Sequence, residues 1–325
     1  MTTVDDRLKD VPALGREIAE EGWAYLDDAF VPFAEAKVSI ATHALQYGTG
    51  VFEGIRAYWN EAHEELYVFR MREHFSRMSR SCRLLRLVLP GTVDDLCALT
   101  VELLRRDRAA GDTYVRPLAF KAARSVKVAL DGLRDGFAMY AFPLGAYLPT
   151  DGATAATSSW RRTSDDAIPA RGKLAGSYIN TALAVDEAHM HGADEAIFLT
   201  ADGHVSEGGS SNLFMLRDGR LVTPPVTADI LEGITRDTVA TLAREELGLE
   251  VVERQIDRTE LYVAEEVFFS GTGAQIAPCV RIDGRPIGDG LIGPVARRLG
   301  DVYFAIARAE DPRHPEWRTP VHART

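Results

Sequence analysis

The chain has 325 residues, of which 46% are hydrophobic and 26% are charged, a composition typical of a globular protein long enough to form two domains. Its net charge of −11 and the lack of a basic segment exclude a nucleic-acid scaffold, and no apolar run is long enough to span a membrane. The acidic start at Met1–Asp10 resembles neither a secretory signal nor a transit peptide, and the three cysteines lack the spacing of metal ligands. We therefore expect a cytoplasmic protein that binds no metal, membrane or nucleic acid.

The first half of the chain contains both strand and helix patterns. Alternating and β-rich residues predict strands at 36–40, 66–69, 114–120 and 137–142. Apolar residues at helical spacing predict a helix over 73–85, and a second helix follows the capping box that starts at Thr92. Arg77 lies with other arginines on the polar side of the first helix. The pattern therefore predicts a solvent-exposed side chain, unless an anion pairs with it.

A glycine-rich segment carries Gly48, Gly50 and Gly54 among aromatic residues, which is typical of backbone that passes close to a bulky group. It lacks the Gly-Lys-Ser/Thr ending of a phosphate loop, and an ordinary turn between strands remains an alternative. Further along, Tyr114 and Arg116 are two residues apart and so lie on the same face of their strand. A phenol beside a guanidinium can clamp a carboxylate, although this pairing is also common on protein surfaces.

A run containing two prolines at 143–149 predicts a connector between domains. We expect a small N-terminal domain over 1–143, a connector over 144–152 and a larger domain over 153–325. The larger domain shows a helical pattern over 177–191 that ends at Gly192. Two hairpins follow, with strands at 196–199, 204–207, 212–216 and 221–223.

Lysine is rare in this chain, which has 37 basic residues but lysine only at positions 9, 37, 121, 127 and 173. Lys173 lies in a glycine-flanked, mostly uncharged segment that leads into the predicted helix. A lysine amine can lose its proton on burial and attack a carbonyl. From its neighbours alone, an ordinary solvated lysine remains the alternative.

Three features of the second half suit a ligand, one through a protonated ring nitrogen and two through an anionic group. Glu207 ends a strand, where its carboxylate would be a strong partner for a protonated ring nitrogen. Ile234 and Thr235 open an amphipathic helix, so their amides point outward at its positive end. The small residues at 270–274 follow an apolar strand and can form a nest of backbone N–H groups. Together with Lys173, these features form the set that a phosphorylated aldehyde cofactor requires.

The sequence contains seven motifs that are typical of one enzyme family. They lie at 43–58, 72–77, 114–118, 173–178, 206–214, 233–237 and 270–272. In order and spacing they resemble the branched-chain aminotransferases, within the fold-type IV pyridoxal-phosphate enzymes. The resemblance implies a mixed α/β (α+β) fold of the D-amino-acid-aminotransferase type, with a smaller N-terminal α/β domain and a larger, β-barrel-like C-terminal domain. It also implies pyridoxal 5'-phosphate as the cofactor.

The resemblance implies a role for each motif. Lys173 would carry the cofactor as a Schiff base and move the proton at the substrate α-carbon, while Glu207 would keep the ring nitrogen protonated. The other cofactor contacts would be Tyr178 to the ring hydroxylate, and Arg77, Ile234, Thr235 and Thr272 to the phosphate. The substrate pocket would be formed by Tyr47, Phe52, Gly54, Tyr114, Arg116, Val126, Val128, Tyr147 and Gly273. Within it, Tyr114 would bind the α-carboxylate and Arg116 the distal carboxylate of glutamate.

The implied activity is transfer of the amino group of L-leucine, L-isoleucine or L-valine to 2-oxoglutarate, by a homodimer or a larger assembly that acts on small amino acids and 2-oxo acids. An (R)-amine or D-amino-acid transaminase of the same fold remains an alternative. The Tyr114/Arg116 pair disfavours a third relative, aminodeoxychorismate lyase. The presence of Lys173, Glu207 and Tyr178 together disfavours a non-catalytic cofactor-binding protein. A dehydrogenase is disfavoured because no Gly-x-Gly-x-x-Gly motif follows a strand and opens a helix.

Some positions depart from the family pattern. Leu144 stands where tryptophan is frequent, Gly273 replaces an alanine, and 124–128 replaces a more glycine-rich loop. These departures leave the preferred amino acid open. The tail at 310–325 departs entirely, and we expect a loosely ordered end there.

Overall fold

The structure is a computed structural model that describes Ile18 and residues 21–322. These residues divide into two compact units. The N-terminal unit contains the residues up to Gly145, together with Gly172–Ser177 and residues 306–322. The C-terminal unit contains Ala146–Arg171 and Tyr178–Ala305. The polar start at Met1–Asp10 lies outside the described residues.

Groups of strands are separated by helices along the chain. The strands are β1 (Trp23–Leu26), β2 (Ala29–Pro32), β3 (Gly50–Phe52), β4 (Ile55–Asn60), β5 (Glu65–Phe69), β6 (Thr113–Lys121), β7 (Asp135–Pro143), β8 (Ala153–Arg161), β9 (Glu195–Leu199), β10 (Val205–Gly208), β11 (Asn212–Arg217), β12 (Arg220–Thr223), β13 (Val251–Glu253), β14 (Glu266–Gly271), β15 (Gln275–Ile282), β16 (Arg285–Pro286) and β17 (Arg318–Pro320). The α-helices are α1 (His43–Tyr47), α2 (Met71–Leu84), α3 (Val93–Arg106), α4 (Tyr178–Met190), α5 (Ile234–Leu247) and α6 (Pro294–Ala307). None of the described helices is long and apolar enough to cross a membrane.

The N-terminal unit is built on one sheet with the strand order β17-β5-β4-β6-β7-β1-β2, to which β3 is added beside β6. Its helices α2 and α3 begin where the sequence predicts, and the Thr92 hydroxyl caps α3 by accepting a bond from the Asp95 amide at 3.3 Å. The strands predicted at 66–69, 114–120 and 137–142 are confirmed as β5, β6 and β7.

The strand predicted at 36–40 is wrong. Residues 36–39 form no regular structure, and Val38 and Ile40 are 52% and 88% exposed. The strand that pairs with β1 lies earlier, in β2, and a 3-10 helix follows it. Alternation predicts a strand only where a neighbouring strand and a buried face are available to it, and 36–40 has neither.

The tail is folded onto the N-terminal unit through His322, so the expected loosely ordered end is wrong for the described residues. β17 pairs antiparallel with β5, and Trp317 and Val321 are buried. The Trp317 ring stacks on His314 at 3.8 Å and lies 5.0 Å from the Arg70 guanidinium. The two apolar side chains anchor a segment that is rich in proline and histidine and for which we expected a loosely ordered end.

The C-terminal unit is built on a second sheet with the strand order β10-β9-β8-β15-β14-β11-β12-β13, in which β16 pairs with β15. Successive residues of β9 point to opposite faces of this sheet. Ile197 and Leu199 point into the main apolar cluster, whereas Ala196 and Phe198 pack with Ala184 of α4. Both predicted hairpins are confirmed, as β9–β10 and β11–β12. Two sheets with helices confirm the mixed α/β class.

Candidate active site

Lys173 lies in the N-terminal unit on a segment that is bonded along its length to the glycine-rich strand β3 and the turn before it. Its carbonyl accepts a bond from the Phe52 amide at 3.1 Å, and the Gly176 amide donates to the Gly48 carbonyl at 3.1 Å. Gly48 has φ +65, and a Cβ there would lie 2.7 Å from the Gly176 Cα. Glycine at 48 therefore allows the two backbones to meet, and this contact fixes the Lys173 segment.

The Lys173 amine and the Arg116 guanidinium both lie close to the ring of Phe52, at 4.9 Å and 4.6 Å from its centroid. Arg116 also donates to the Tyr114 hydroxyl at 3.2 Å, so the two side chains meet as the strand pattern predicts. Gly54 makes room for them, because a Cβ there would lie 1.8 Å from the Tyr114 hydroxyl oxygen. An amine and a guanidinium thus lie near one aromatic ring, and the guanidinium is also bonded to a phenol.

Arg77 is not on a solvated face but is 4% exposed, and its partner is Glu53. The Nε of Arg77 donates to Glu53 Oε1 at 2.7 Å, and its Nη2 donates to Oε2 at 2.8 Å. The Nδ1 of His74 lies 2.8 Å from the same Oε2. Burial by itself raises the pKa of Glu53, but the charge and hydrogen bonds of Arg77 and His74 outweigh it and hold the pKa far below its usual value. Glu53 therefore stays ionised and orients the Arg77 fork.

Glu207 lies in β10 of the C-terminal unit, and three groups donate to its buried carboxylate. Arg162 pairs with Oε1 at 2.9 Å. The Nδ2 of Asn212 and the amide of Leu231 donate to Oε2 at 3.0 and 3.1 Å. These donors hold the carboxylate in a fixed orientation.

The phosphate contacts predicted in the C-terminal unit lie at the start of α5 and in the turn between β14 and β15. Ile234 and Thr235 are the first residues of α5, as predicted. Thr272 and Gly273 lie in the turn between β14 and β15, where a Cβ on Gly273 would lie 3.3 Å from the ring of Tyr147. Tyr178 is the first residue of α4.

The donor set of the C-terminal unit fits a phosphorylated pyridine. The Ser270 hydroxyl, at the end of β14, is fully buried and lacks a hydrogen-bond partner among the described residues. A buried polar atom of this kind normally has a ligand or water as its partner. With the fixed carboxylate of Glu207, it suits a ring that carries a protonated nitrogen and an anionic substituent. In the part of the chain that the structure describes, no group of three or more His, Cys, Asp or Glu side chains could hold a metal ion.

Three further predicted pocket residues lie on the surface of the N-terminal unit. The Tyr47 hydroxyl donates to the Val126 carbonyl at 3.1 Å, which ties α1 to the loop that follows β6. Val126 and Val128 are 77% and 78% exposed. These two side chains therefore point away from the core of their own unit.

The comparison with known proteins identifies the family. A family model described as amino-transferase class IV matches residues 50–282. The chain belongs to the class IV aminotransferases. A probable branched-chain-amino-acid aminotransferase of Aquifex aeolicus is 44% identical over 301 residues, which cover 92% of this chain and 97% of that protein.

Two crystal structures share the fold of this class IV aminotransferase. The branched-chain aminotransferase of the archaeon Thermoproteus uzoniensis, solved with norvaline, has a TM-score of 0.89 and 42% identity, covering 93% of this chain and 99% of that one. The T.th. branched-chain amino acid aminotransferase, in complex with N-(5'-phosphopyridoxyl)-L-glutamate, has a TM-score of 0.89 and 41% identity, covering 94% and 100%.

Sequence reasoning about this aminotransferase missed Glu53, Arg162 and Asn212. Glu53 and Asn212 lie inside the glycine-rich and Glu207 motifs, where a charged or amide side chain among apolar strand residues was the available signal. Arg162 follows another arginine in a polar run, and its partner is 45 residues away, so no local signal marks it.

A third buried carboxyl makes the stability of this aminotransferase depend on pH. Glu195 of β9 is 1% exposed, and its Oε1 accepts bonds from the amides of Ala196 and Gly209 at 2.8 and 3.1 Å. Burial raises the pKa of this carboxyl from 4.5 to about 7, against the lowering effect of these bonds. Because the folded state holds this proton more tightly than the unfolded chain, ionisation of Glu195 destabilises the fold progressively between pH 4.5 and 7.

As the pH rises from 4.5 to above 7, we expect the free energy of unfolding of the unsubstituted protein to fall by roughly 3 kcal/mol through Glu195. In Glu195→Gln this fall should be absent, because glutamine does not ionise. Urea unfolding of both proteins at pH 4.5, 6 and 8 measures this loss. The exposed Glu250→Gln is the control and should parallel the unsubstituted protein. Parallel curves for Glu195→Gln would contradict the role of Glu195.

Proposed function

We propose that this protein is a branched-chain-amino-acid aminotransferase that transfers the amino group of L-leucine, L-isoleucine or L-valine to 2-oxoglutarate, with pyridoxal 5'-phosphate held on Lys173. The observation that carries the proposal is the pairing of the Lys173 amine and the Arg116 guanidinium around the ring of Phe52. An aromatic wall accepts an aliphatic side chain, and the guanidinium beside it accepts a carboxylate. The relatives that share the fold carry the name of this activity, and one was solved with a phosphopyridoxyl-glutamate compound.

The cofactor, when bound, supplies an aldehyde that receives the amino group and a ring that withdraws electrons from the substrate α-carbon. The Lys173 amine binds the cofactor and moves the proton at that carbon. The Glu207 carboxylate would hold a proton on the ring nitrogen, and the ion pair with Arg162 orients this carboxylate. Tyr178 donates to the ring hydroxylate.

The phosphate is bound by Arg77, by the amides of Ile234 and Thr235 at the start of α5, and by Thr272. Glu53 orients the Arg77 fork through two bonds, so the cation is aligned before the phosphate arrives. The amides contribute partial positive charge without any side-chain rearrangement. These contacts would anchor the phosphate and so restrict the motion of the ring.

The substrate pocket must accept an aliphatic side chain and, in the second half of the reaction, the distal carboxylate of glutamate. A buried unpaired charge costs several kcal/mol, so the carboxylate requires a cation of its own. We propose that Arg116 supplies it, that Tyr114 and Gly273 bind the α-carboxylate, and that Phe52 and Tyr147 contact the aliphatic chain. Gly54 keeps the Tyr114 hydroxyl in place.

We expect Arg116→Ala to lower kcat/KM for 2-oxoglutarate by about 100-fold, because truncation leaves the distal carboxylate without its cation. For 2-oxoisocaproate, which has no distal carboxylate, the loss should stay below about fivefold. Steady-state kinetics with each acceptor measure the two values. The exposed Arg134→Ala is the control and should change neither. Equal losses for both acceptors would show that Arg116 does not bind the distal carboxylate.

The proposed activity is tested by a panel of amino donors with 2-oxoglutarate as the acceptor. L-leucine, L-isoleucine and L-valine should yield glutamate, whereas D-alanine and (R)-1-phenylethylamine should not. Activity with the last two alone would identify the protein as a D-amino-acid or (R)-amine transaminase instead.

We further propose that the protein is a homodimer and that it is cytoplasmic. The N-terminal unit exposes large apolar side chains around α1 and the loop after β6, namely Val38, Ile40, Leu45, Val126 and Val128. Apolar surface of this kind marks an interface, and a second copy of the chain would cover it. All three cysteines are buried free thiols, which agrees with a reducing compartment.

We expect Val128→Glu to convert the dimer to a monomer, because a buried unpaired carboxylate opposes association. Sedimentation equilibrium measures the mass of the protein. Val88→Glu, which lies on a different exposed site of the same unit, should leave the dimer intact. A monomeric unsubstituted protein, or a dimer that survives Val128→Glu, would contradict the proposed interface.

A further inference from the structure

Asn212, the first residue of β11, joins the Glu207 carboxylate to the segment that leads into α5. Its Nδ2 donates both to Glu207 Oε2 at 3.0 Å and to the Leu231 carbonyl at 2.9 Å. The Leu231 amide donates to the same Glu207 oxygen at 3.1 Å. The Asn212 side chain and the Leu231 backbone thus both bond to the carboxylate and also to each other, and Asn212 makes two of the three bonds.

The side-chain oxygen of Asn212, Oδ1, faces Gly233, the N-cap of α5. A Cβ at Gly233 would lie 2.0 Å from Asn212 Oδ1, so the backbone that enters the helix lies directly against this amide. Any larger residue at 233 would push Asn212 away or displace the start of α5. The amide of Asn212 is therefore in contact with Glu207 on one side and with the entry to α5 on the other.

Charge neutralisation of Glu207 does not require Asn212, because Arg162 already pairs with the second carboxylate oxygen at 2.9 Å. A neutral amide adds little electrostatic energy to an ion pair, but it adds direction. The contribution of Asn212 is therefore geometric, and it concerns two groups that lie 24 residues apart in the chain, Glu207 and Leu231.

We propose that Asn212 is a positioning residue that sets the distance between the Glu207 carboxylate and the N-terminus of α5. The inference rests on the proposed function, in which Glu207 contacts the ring nitrogen of the cofactor and the first amides of α5 contact its phosphate. The cofactor would join these two ends through a short linker, so both protein groups would bind it well only when their separation lies within its reach. Asn212 bonds to Glu207 and to the Leu231 carbonyl, three residues before α5, and lies against the N-cap Gly233, so it keeps that separation.

The proposal is tested by comparing two probes, pyridoxal 5'-phosphate and pyridoxal, which lacks the phosphate. Absorbance titration of the apoprotein measures both dissociation constants. The constant for pyridoxal divided by that for pyridoxal 5'-phosphate reports how much the phosphate contributes to affinity while the ring is bound. In Asn212→Ala we expect this ratio to fall by about tenfold or more, because the two ends no longer fit together. Asn212→Asp keeps the shape but loses the Nδ2 donor, and its ratio should fall at least as far.

Asn60→Ala is the matched control, since Asn60 is likewise buried, bonds to backbone at Arg308 and His63 in the N-terminal unit, and should leave the ratio unchanged. Ratios within about twofold of the unsubstituted protein in both Asn212 variants would overturn the proposal. So would an equal loss of affinity for the two probes, which is what a purely structural role produces. An unsubstituted protein that binds neither probe would overturn the proposed function and this inference with it.

Discussion

Replacement of Lys173 by alanine should lower kcat for transamination by at least about 10⁴-fold, since the variant loses both the amine that binds the cofactor and the base that moves the α-proton. The protein should still bind pyridoxal 5'-phosphate without a covalent bond, because the proposed phosphate contacts are intact. Kinetics with L-leucine and 2-oxoglutarate measure the loss, and absorbance titration measures the retained binding.

Borohydride treatment gives an independent check, since it should fix the cofactor to Lys173 in the unsubstituted protein and leave the variant unlabelled. The exposed Lys37→Ala should keep both the label and the activity. Peptide mapping that finds the label on another lysine would contradict the assignment of Lys173.

Replacement of Glu53 by glutamine should lower the free energy of unfolding of the apoprotein by about 3–5 kcal/mol, because it leaves the buried Arg77 cation without its charged partner. Urea unfolding measures this change. The loss should shrink when inorganic phosphate is added, since a bound phosphate supplies the negative charge that Arg77 lacks.

The lowered pKa of Glu53 determines how the destabilisation caused by Glu53→Gln changes with pH. Its folded-state pKa is lowered, so the stability that it contributes is present above the unfolded pKa of 4.5 and is lost as the pH falls below it. The penalty of Glu53→Gln should therefore be larger at pH 7 than at pH 4. Glu73→Gln is the control, because its ion pair with Arg70 is partly exposed and should contribute only about 0–1 kcal/mol. Equal penalties for the two variants would contradict the role of Glu53.

The ion pairs Glu53–Arg77 and Glu207–Arg162 differ in which member is proposed to contact the cofactor. Glu53 orients Arg77, the group proposed to bind the phosphate, and so acts behind the cation. Glu207 is itself proposed to contact the cofactor, and Arg162 and Asn212 act behind it. In both units, a fixed charge pair aligns the group proposed to meet the ligand, and we expect this alignment to lower the reorganisation needed on binding.

The sequence by itself determined most of the elements, because helix and strand periods and the Thr92 capping box are local patterns that the structure preserves. It also picked out Lys173 and Glu207, since a rare lysine and a strand-end carboxylate are visible without knowledge of their neighbours in space. The same local reasoning failed at 36–40 and in the tail, where the deciding factor was the presence of a strand to pair with.

Only the tertiary structure decided which charges are paired. Arg77 and Glu53 are 24 residues apart, and the helix pattern placed Arg77 in solvent because nothing in the helix shows a buried carboxylate on another element. The clustering of Lys173 and Arg116 around Phe52, and the contact of Asn212 with both Glu207 and the entry to α5, are likewise products of packing between distant segments. The cost of burying an unpaired charge makes such pairings necessary, but the fold alone selects the partner.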